Sequence, residues 1–266
     1  MEKDKLLEII KRNPSVLAHL ENPSEELILL AVQSNGLALQ YIQNPTRQMQ
    51  ELALANNSSA IQFIEDPTEE MQLKVIKDSW VNLEYTKNPS EKIYKFALDQ
   101  AGWAIKYIPN PSEELQLLAV RKNYDAIKFI KNPAPKTQEE AVKISYEALR
   151  YIDSPTPQAE LLAIKQDARA IAFVKGLTKE KILEFLKVNI LVIKYVVKDI
   201  TKAELEAVLK ETLAQEDIDE QYVRDFLNCP TIQKHSKQMP LDTLMFVYQY
   251  GSKKAKKIAV DEKLKL

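Results

Sequence analysis

Cysteine occurs once in the 266 residues, histidine twice and glycine four times. A single cysteine excludes a disulfide scaffold and a zinc ribbon. Two histidines leave little material for catalytic dyads or His-rich metal sites. Glycine makes up about 1.5% of the chain, against a usual level near 7%, so tight β-turns should be few. The four glycines, Gly36, Gly102, Gly176 and Gly251, are too dispersed to form a phosphate-cradling loop. No apolar run approaches the roughly 18 residues of a membrane span. The longest candidate, Ile190 to Val197, is interrupted by Lys194. The opening Met-Glu-Lys-Asp-Lys lacks the apolar stretch of a secretory signal. Basic and acidic residues number 37 and 38, net −1, so no global field draws the chain to nucleic acid or membrane. These absences predict a helical, cytoplasmic protein without a cofactor or metal, and they argue against an enzyme.

What the chain does have is a ruler. Pro23, Pro45, Pro67, Pro89, Pro111, Pro133 and Pro155 recur every 22 residues without slippage. With each proline as position 0, position 18 is aromatic throughout: Tyr41, Phe63, Tyr85, Tyr107, Phe129, Tyr151 and Phe173. Position 15 is alanine except at Asn82, position 16 is Leu or Ile, and position 9 is Val, Leu or Ile. Self-similarity at this period is the signature of a repeat architecture.

The columns predict two helices per repeat. Position 1 is Ser or Thr except at Ala134, and a hydroxyl there can accept from the free amides of a helix start. Pro135 and Pro157 at position 2 suit a first helical residue. The proline at position 0 forces the preceding residue out of helical geometry and ends the previous helix. A first helix should therefore run from position 2 to about 10. Position 12 (Asn35, Asn57, Ser79, Asn123, Ser145, Asp167, with Ala101 the exception) should cap a second, reaching about position 20. That helix would bury positions 15, 16, 18 and 19. Helices this short are marginal alone, so stacking on neighbours must stabilise them. The expected fold is all-α, a right-handed type of α-solenoid, HEAT- or TPR-like in style.

The ends differ. Residues 1–21 read as an N-terminal capping helix pair without the opening proline, with His19 on the aromatic column as a partly buried core histidine. Repeats fill residues 22–199, the eighth opening at Leu177. Residues 200–266 lose the register and read as a helical cap or small appended domain. Its helices are expected at about 202–214, 217–227 and 241–250. The run Lys253-Lys-Ala-Lys-Lys reads as a solvated terminal helix. Thr137 and Ala159 at the usually apolar position 4 predict a change of curvature between residues 132 and 176.

With Asn22-Pro-Ser-Glu-Glu and Asn110-Pro-Ser-Glu-Glu in place, residues 2 to 199 resemble the short α-helical repeat proteins of bacteria and their phages, which carry tandem 22-residue units of this type. The resemblance implies an all-α solenoid and a prokaryotic or phage source. It transfers no catalytic residue. By analogy it implies a role as inhibitor of a bacterial defence effector, such as a CRISPR nuclease.

Cys229 and His235 are the nearest approach to a catalytic pair, without a third orienting group. Binding is the stronger reading. Trp80, Trp103, Tyr124 and Tyr146 occupy position 13 or 14 in four successive repeats, where the first two carry Gly36–Leu37 and Ser58–Ser59. Position 17 runs Gln40, Gln62, Glu84, then Lys106, Lys128 and Arg150, and position 10 turns basic at Arg121, Lys143 and Lys165. On an α-helix Tyr124 and Lys128, like Tyr146 and Arg150, would share a face. Residues 1 to 100 carry 10 basic and 15 acidic side chains, and residues 101 to 200 carry 16 and 12. The expected function is non-catalytic recognition of a protein or ribonucleoprotein by this aromatic and basic stripe. RNA binding, with rings stacking on bases, is the alternative, and a Cys/His hydrolase is the remote one.

Overall fold

The structure, a computed structural model, describes residues 2–264. All of its secondary structure is helical, with no strand among the described residues, and helix pairs recur in tandem at the 22-residue spacing. This is an all-α, solenoid-like repeat fold. The chain forms two compact units that divide between Asn132 and Pro133, at a repeat boundary. The first holds the capping pair Glu2–Arg12 and Pro14–His19, followed by five repeats. The second holds three repeats and the C-terminal helices.

Each repeat begins with a ten-residue α-helix from position 2 to position 11, such as Glu25–Ser34, Glu69–Asp78 and Glu113–Lys122. Thr46, Thr68, Ser90, Ser112, Thr156 and Thr178 accept from the amide of the third helical residue, as the sequence predicts for a cap. Ser24 and Ala134 make no such bond. Position 12 caps the second helix with a side chain at Asn35, Asn57, Ser145 and Asp167, but not at Ser79. The Asn123 side chain instead accepts from Gly102 N–H of the preceding repeat (2.9 Å).

The second helix corrects the expectation. In the seven repeats that open on proline it is a six-residue 3₁₀ helix spanning positions 13 to 18, as in Gly36–Tyr41, Trp80–Tyr85, Gly102–Tyr107 and Tyr146–Tyr151. In the eighth, a three-residue 3₁₀ helix, Ile190–Val192, runs into the α-helix Ile193–Val196. The six-residue helix ends two residues earlier than expected, at an extended position 19 whose amide donates to the carbonyl of position 16 (Ile42 to Leu39, 3.1 Å). Six residues between two extended caps are too few for settled i→i+4 bonding, and 3₁₀ helices serve as such short pieces. Three residues per turn also put positions 16 and 19 on one face. In the repeat from Pro45, Ile61 and Ile64 are buried there.

The turn into the first, second, fourth, fifth and eighth repeats is left-handed. Asn22, Asn44, Asn88 and Asn110, each just before the proline, have φ of 51, 53, 46 and 47°, and Gly176 has 59° in the same column. Asn tolerates this region because its short polar side chain can satisfy the local backbone, whereas a β-branched side chain clashes. Asn88→Val is expected to cost about 1–2 kcal/mol, while Asn88→Gly, the exchange the eighth repeat already carries, should be near neutral. Urea unfolding of the two variants checks the difference.

A column of amides at position 5 supplies part of the core's polar order. Position 5 is glutamine in four repeats, and its Nε2 donates to the carbonyl of its own position-0 proline: Gln50 to Pro45 (3.1 Å), Gln72 to Pro67 (3.0 Å), Gln116 to Pro111 (3.0 Å) and Gln138 to Pro133 (3.1 Å). Gln138 Oε1 also accepts from Thr156 N–H of the next repeat (2.8 Å), tying the two together. In the seventh repeat the column holds Glu160, which is buried and paired with Lys181 of the eighth (2.8 Å).

Beyond the repeats lie helices Lys202–Leu213, Glu220–Asn228, Thr243–Tyr250 and Lys253–Leu264. The last is the lysine-rich run, and it turns Ala255, Ile258 and Ala259 inward.

Candidate partner-binding surface

Period three decides which side chains meet on the 3₁₀ helices. Residues three apart eclipse, so positions 14 and 17 face the same way. Lys128 accordingly pairs with Asp125 (2.7 Å). Tyr124 and Lys128, four steps of 120° apart, are offset by a third of a turn, so the shared face expected of an α-helix is not provided.

In the first compact unit the rings of one repeat meet cations of the next. Lys106 Nζ lies 5.5 Å from the Trp80 ring and 4.4 Å from that of Tyr107, and the two rings are 6.2 Å apart. One repeat on, Lys128 Nζ lies 6.0 Å from the Trp103 ring and 5.0 Å from that of Phe129. Trp103 Nε1–H donates to Asp125 Oδ1 (2.8 Å), so Asp125 is held from both sides. Burial pushes the Asp125 carboxyl up, but the hydrogen bonds from Lys128 and Trp103 outweigh it and leave it below its ordinary value. The stabilisation this contact gives is therefore complete above the ordinary carboxylate range and lost as pH falls through the depressed value. Trp80 and Tyr124 are half-buried, whereas Trp103 is 38% and Phe129 41% exposed.

The second unit repeats the theme with different partners. Tyr146 stacks on Phe173 (6.3 Å, 20°). Arg150 lies over Tyr151 (5.3 Å) and Phe173 (5.7 Å). Arg169, at position 14 and absent from the sequence-based set, lies over Tyr146 (5.4 Å). Its guanidinium is fixed by Asp167 (2.7 Å), whose hydrogen bond raises the Arg169 pKa. The anticipated Tyr146–Arg150 pair is thus replaced by Tyr146–Arg169, again because 3₁₀ spacing separates i and i+4.

Two further expectations change. Position 18 is not core: Tyr41, Phe129 and Tyr195 are exposed and Tyr107, Tyr151 and Phe173 half-buried, so this column lies along the surface. His19, on the same column, is exposed for the same reason. Arg121, Lys143 and Lys165 are exposed but lie in the last turns of α-helices, where the negative end of the helix dipole accounts for cations.

Cys229 is buried at 1% exposure and His235 is exposed. Among the described residues no group of three or more His, Cys, Asp or Glu side chains is placed to hold a metal ion, and no helix is long and apolar enough to cross a membrane. The chain matches no protein-family model, no curated protein and no solved structure in the comparisons made.

Proposed function

We propose that this chain is a non-catalytic helical-repeat binding protein that recognises a protein partner, alone or within a ribonucleoprotein, through its 3₁₀ surface. The observation that carries the reading is that each unit lays cations across exposed and half-buried rings, the first at Trp80, Lys106, Trp103, Lys128 and Phe129, the second at Tyr146, Arg150, Arg169 and Phe173. The repeat lattice does not require it, since the same positions in the first two repeats hold Gly36, Leu37, Ser58 and Ser59.

Trp, Tyr and Arg are the residue types that dominate binding hot spots. A cation over a ring contributes about 0.5–1 kcal/mol at an exposed site. It also orders a long side chain before a partner arrives, which lowers the entropic cost of association. The engagement of Lys128 by Asp125 favours a protein over RNA, because that cation is already partly neutralised.

Trp103→Ala combined with Lys106→Glu is expected to weaken capture of the partner from a bacterial lysate by about tenfold or more, the loss typical of a central anchor. The circular dichroism spectrum should be unchanged, and ribonuclease treatment should leave wild-type capture intact. Full capture by the double variant would remove the basis of the reading. Capture abolished by ribonuclease would transfer it to RNA.

A further inference from the structure

Away from the repeats, Thr243–Tyr250 and Lys253–Leu264 enclose an open groove of about 450 Å³, lined by Leu244, Met245, Val247, Tyr248 and Val260 among others. Met245 is 58% exposed and Tyr248 73%, with Val260 and Leu264 exposed beside them. Single exposed apolar side chains are ordinary, but a contiguous group marks an interaction site. The helix pair does not need these side chains for its own packing. Phe246, Val247, Ala255, Ile258 and Ala259 are buried, and Phe246 packs against Phe226 (6.0 Å) and Tyr250 (4.8 Å).

The charged side chains that line the groove, Lys256 and Lys263, are of one sign, although exposed Asp261 lies on the same helix outside the lining. Lys253, Lys254 and Lys257 on the same helix are exposed. The neighbouring carboxylate of Glu262 is drawn off towards Glu220–Asn228, where it accepts from Arg224 and from Asn228 Nδ2 (3.0 Å). Lys256 Nζ lies 6.0 Å from the Tyr248 ring, at the edge of the apolar floor.

We infer that this groove is the docking site of an acidic amphipathic helix presented by a partner protein. The concavity selects side chains that insert, at i, i+3 and i+4 spacing, over a flat lipid surface. Met245, with its flexible thioether, can adapt to more than one apolar side chain. The lysines select Asp and Glu on the flanks of the inserted face. The site is independent of the 3₁₀ surface, and the two are separable by mutation.

The test is selection of a displayed library of random 14-residue peptides against the full chain, counter-selected against Met245→Glu/Val260→Glu. Both replaced side chains are exposed, so the variant should fold, and its circular dichroism spectrum verifies this. Enriched peptides should carry apolar residues at helical spacing with a net negative charge. Their affinity should fall about tenfold or more in Met245→Glu/Val260→Glu, as when a central anchor is lost. In Lys256→Glu/Lys263→Glu it should fall severalfold, and a peptide with its acidic residues replaced by lysine should then bind that variant better than wild type. Enrichment of neutral or basic peptides, or no enrichment at all, would overturn the inference. So would vesicles of phosphatidylcholine and phosphatidylserine that retain wild type but not Met245→Glu/Val260→Glu, or a concentration-dependent dimer abolished by that variant. Trp103→Ala with Lys106→Glu should leave peptide binding unchanged.

Discussion

Replacing Lys181 with methionine is expected to cost about 3 kcal/mol of folding stability, because removing one partner strands a buried carboxylate. Glu160 is buried at 2% exposure, and Lys181, which is part-buried, reaches it at 2.8 Å. The loss belongs at the lower end for such pairs because water can approach from the lysine's side. The glutamine column supplies the rescue. Gln138, one repeat earlier in the same column, is held by its own proline carbonyl without any cation. Glu160→Gln with Lys181→Met should therefore recover most of the loss, the amide donating to the Pro155 carbonyl. Urea unfolding of the four members of this cycle gives the coupling. A double variant as unstable as Lys181→Met alone would show that position 5 is not interchangeable between repeats.

A second large effect is expected from one methyl group. A Cβ placed on Gly102 would lie 2.2 Å from the Ala119 carbonyl oxygen of the next repeat, and the geometry at Gly36 and Ala53 is the same. Backbone cannot give way as a flexible side chain can, so Gly102→Ala forces the two repeats apart. Overpacking of this kind costs about 2 kcal/mol, within the usual range of about 1–3. The shift should also break the hydrogen bond from Gly102 N–H to Asn123 Oδ1. Ser58, at the same position in the second repeat, already carries a Cβ, and Ser58→Ala should cost less than about 1 kcal/mol, in keeping with surface substitutions. Thermal melts of the pair measure the contrast, and equal losses would remove the close-approach explanation.

Helix starts and turns were legible in the sequence because single residues dictate them. The prolines, the Ser and Thr of position 1 and the Asn before five of the seven prolines act through covalent geometry or one hydrogen bond, and neither depends on distant packing. The 3₁₀ helices were not legible. Apolar residues at 15, 16, 18 and 19 fit a period of 3.6 as well as 3.0 over six residues. What decides is the extended residue at 19, seen at Ile42, Ile64 and Ile108. That one difference moved the rings of position 18 from core to surface. It brought Arg169 rather than Arg150 to Tyr146. The role of Gln50, Gln72, Gln116 and Gln138 is hidden because an amide inside a helix reads as solvent-facing, although its recurrence in one column is the signal that marks it. The apolar groove is not legible because its walls are too short for a pattern: Met245 and Tyr248 on one helix, Val260 and Leu264 on another.

The central claim is that a partner meets the 3₁₀ surface, and side-chain oxidation footprinting of the complex measures this directly. With the partner bound, Trp103 and Phe129 should be protected from hydroxyl radicals several-fold, while Met245 and Tyr248 report independently on the C-terminal groove. Protection of Trp103 and Phe129, lost together with binding in Trp103→Ala/Lys106→Glu, is the predicted result. A bound complex in which both rings oxidise as fast as in the free protein would contradict it.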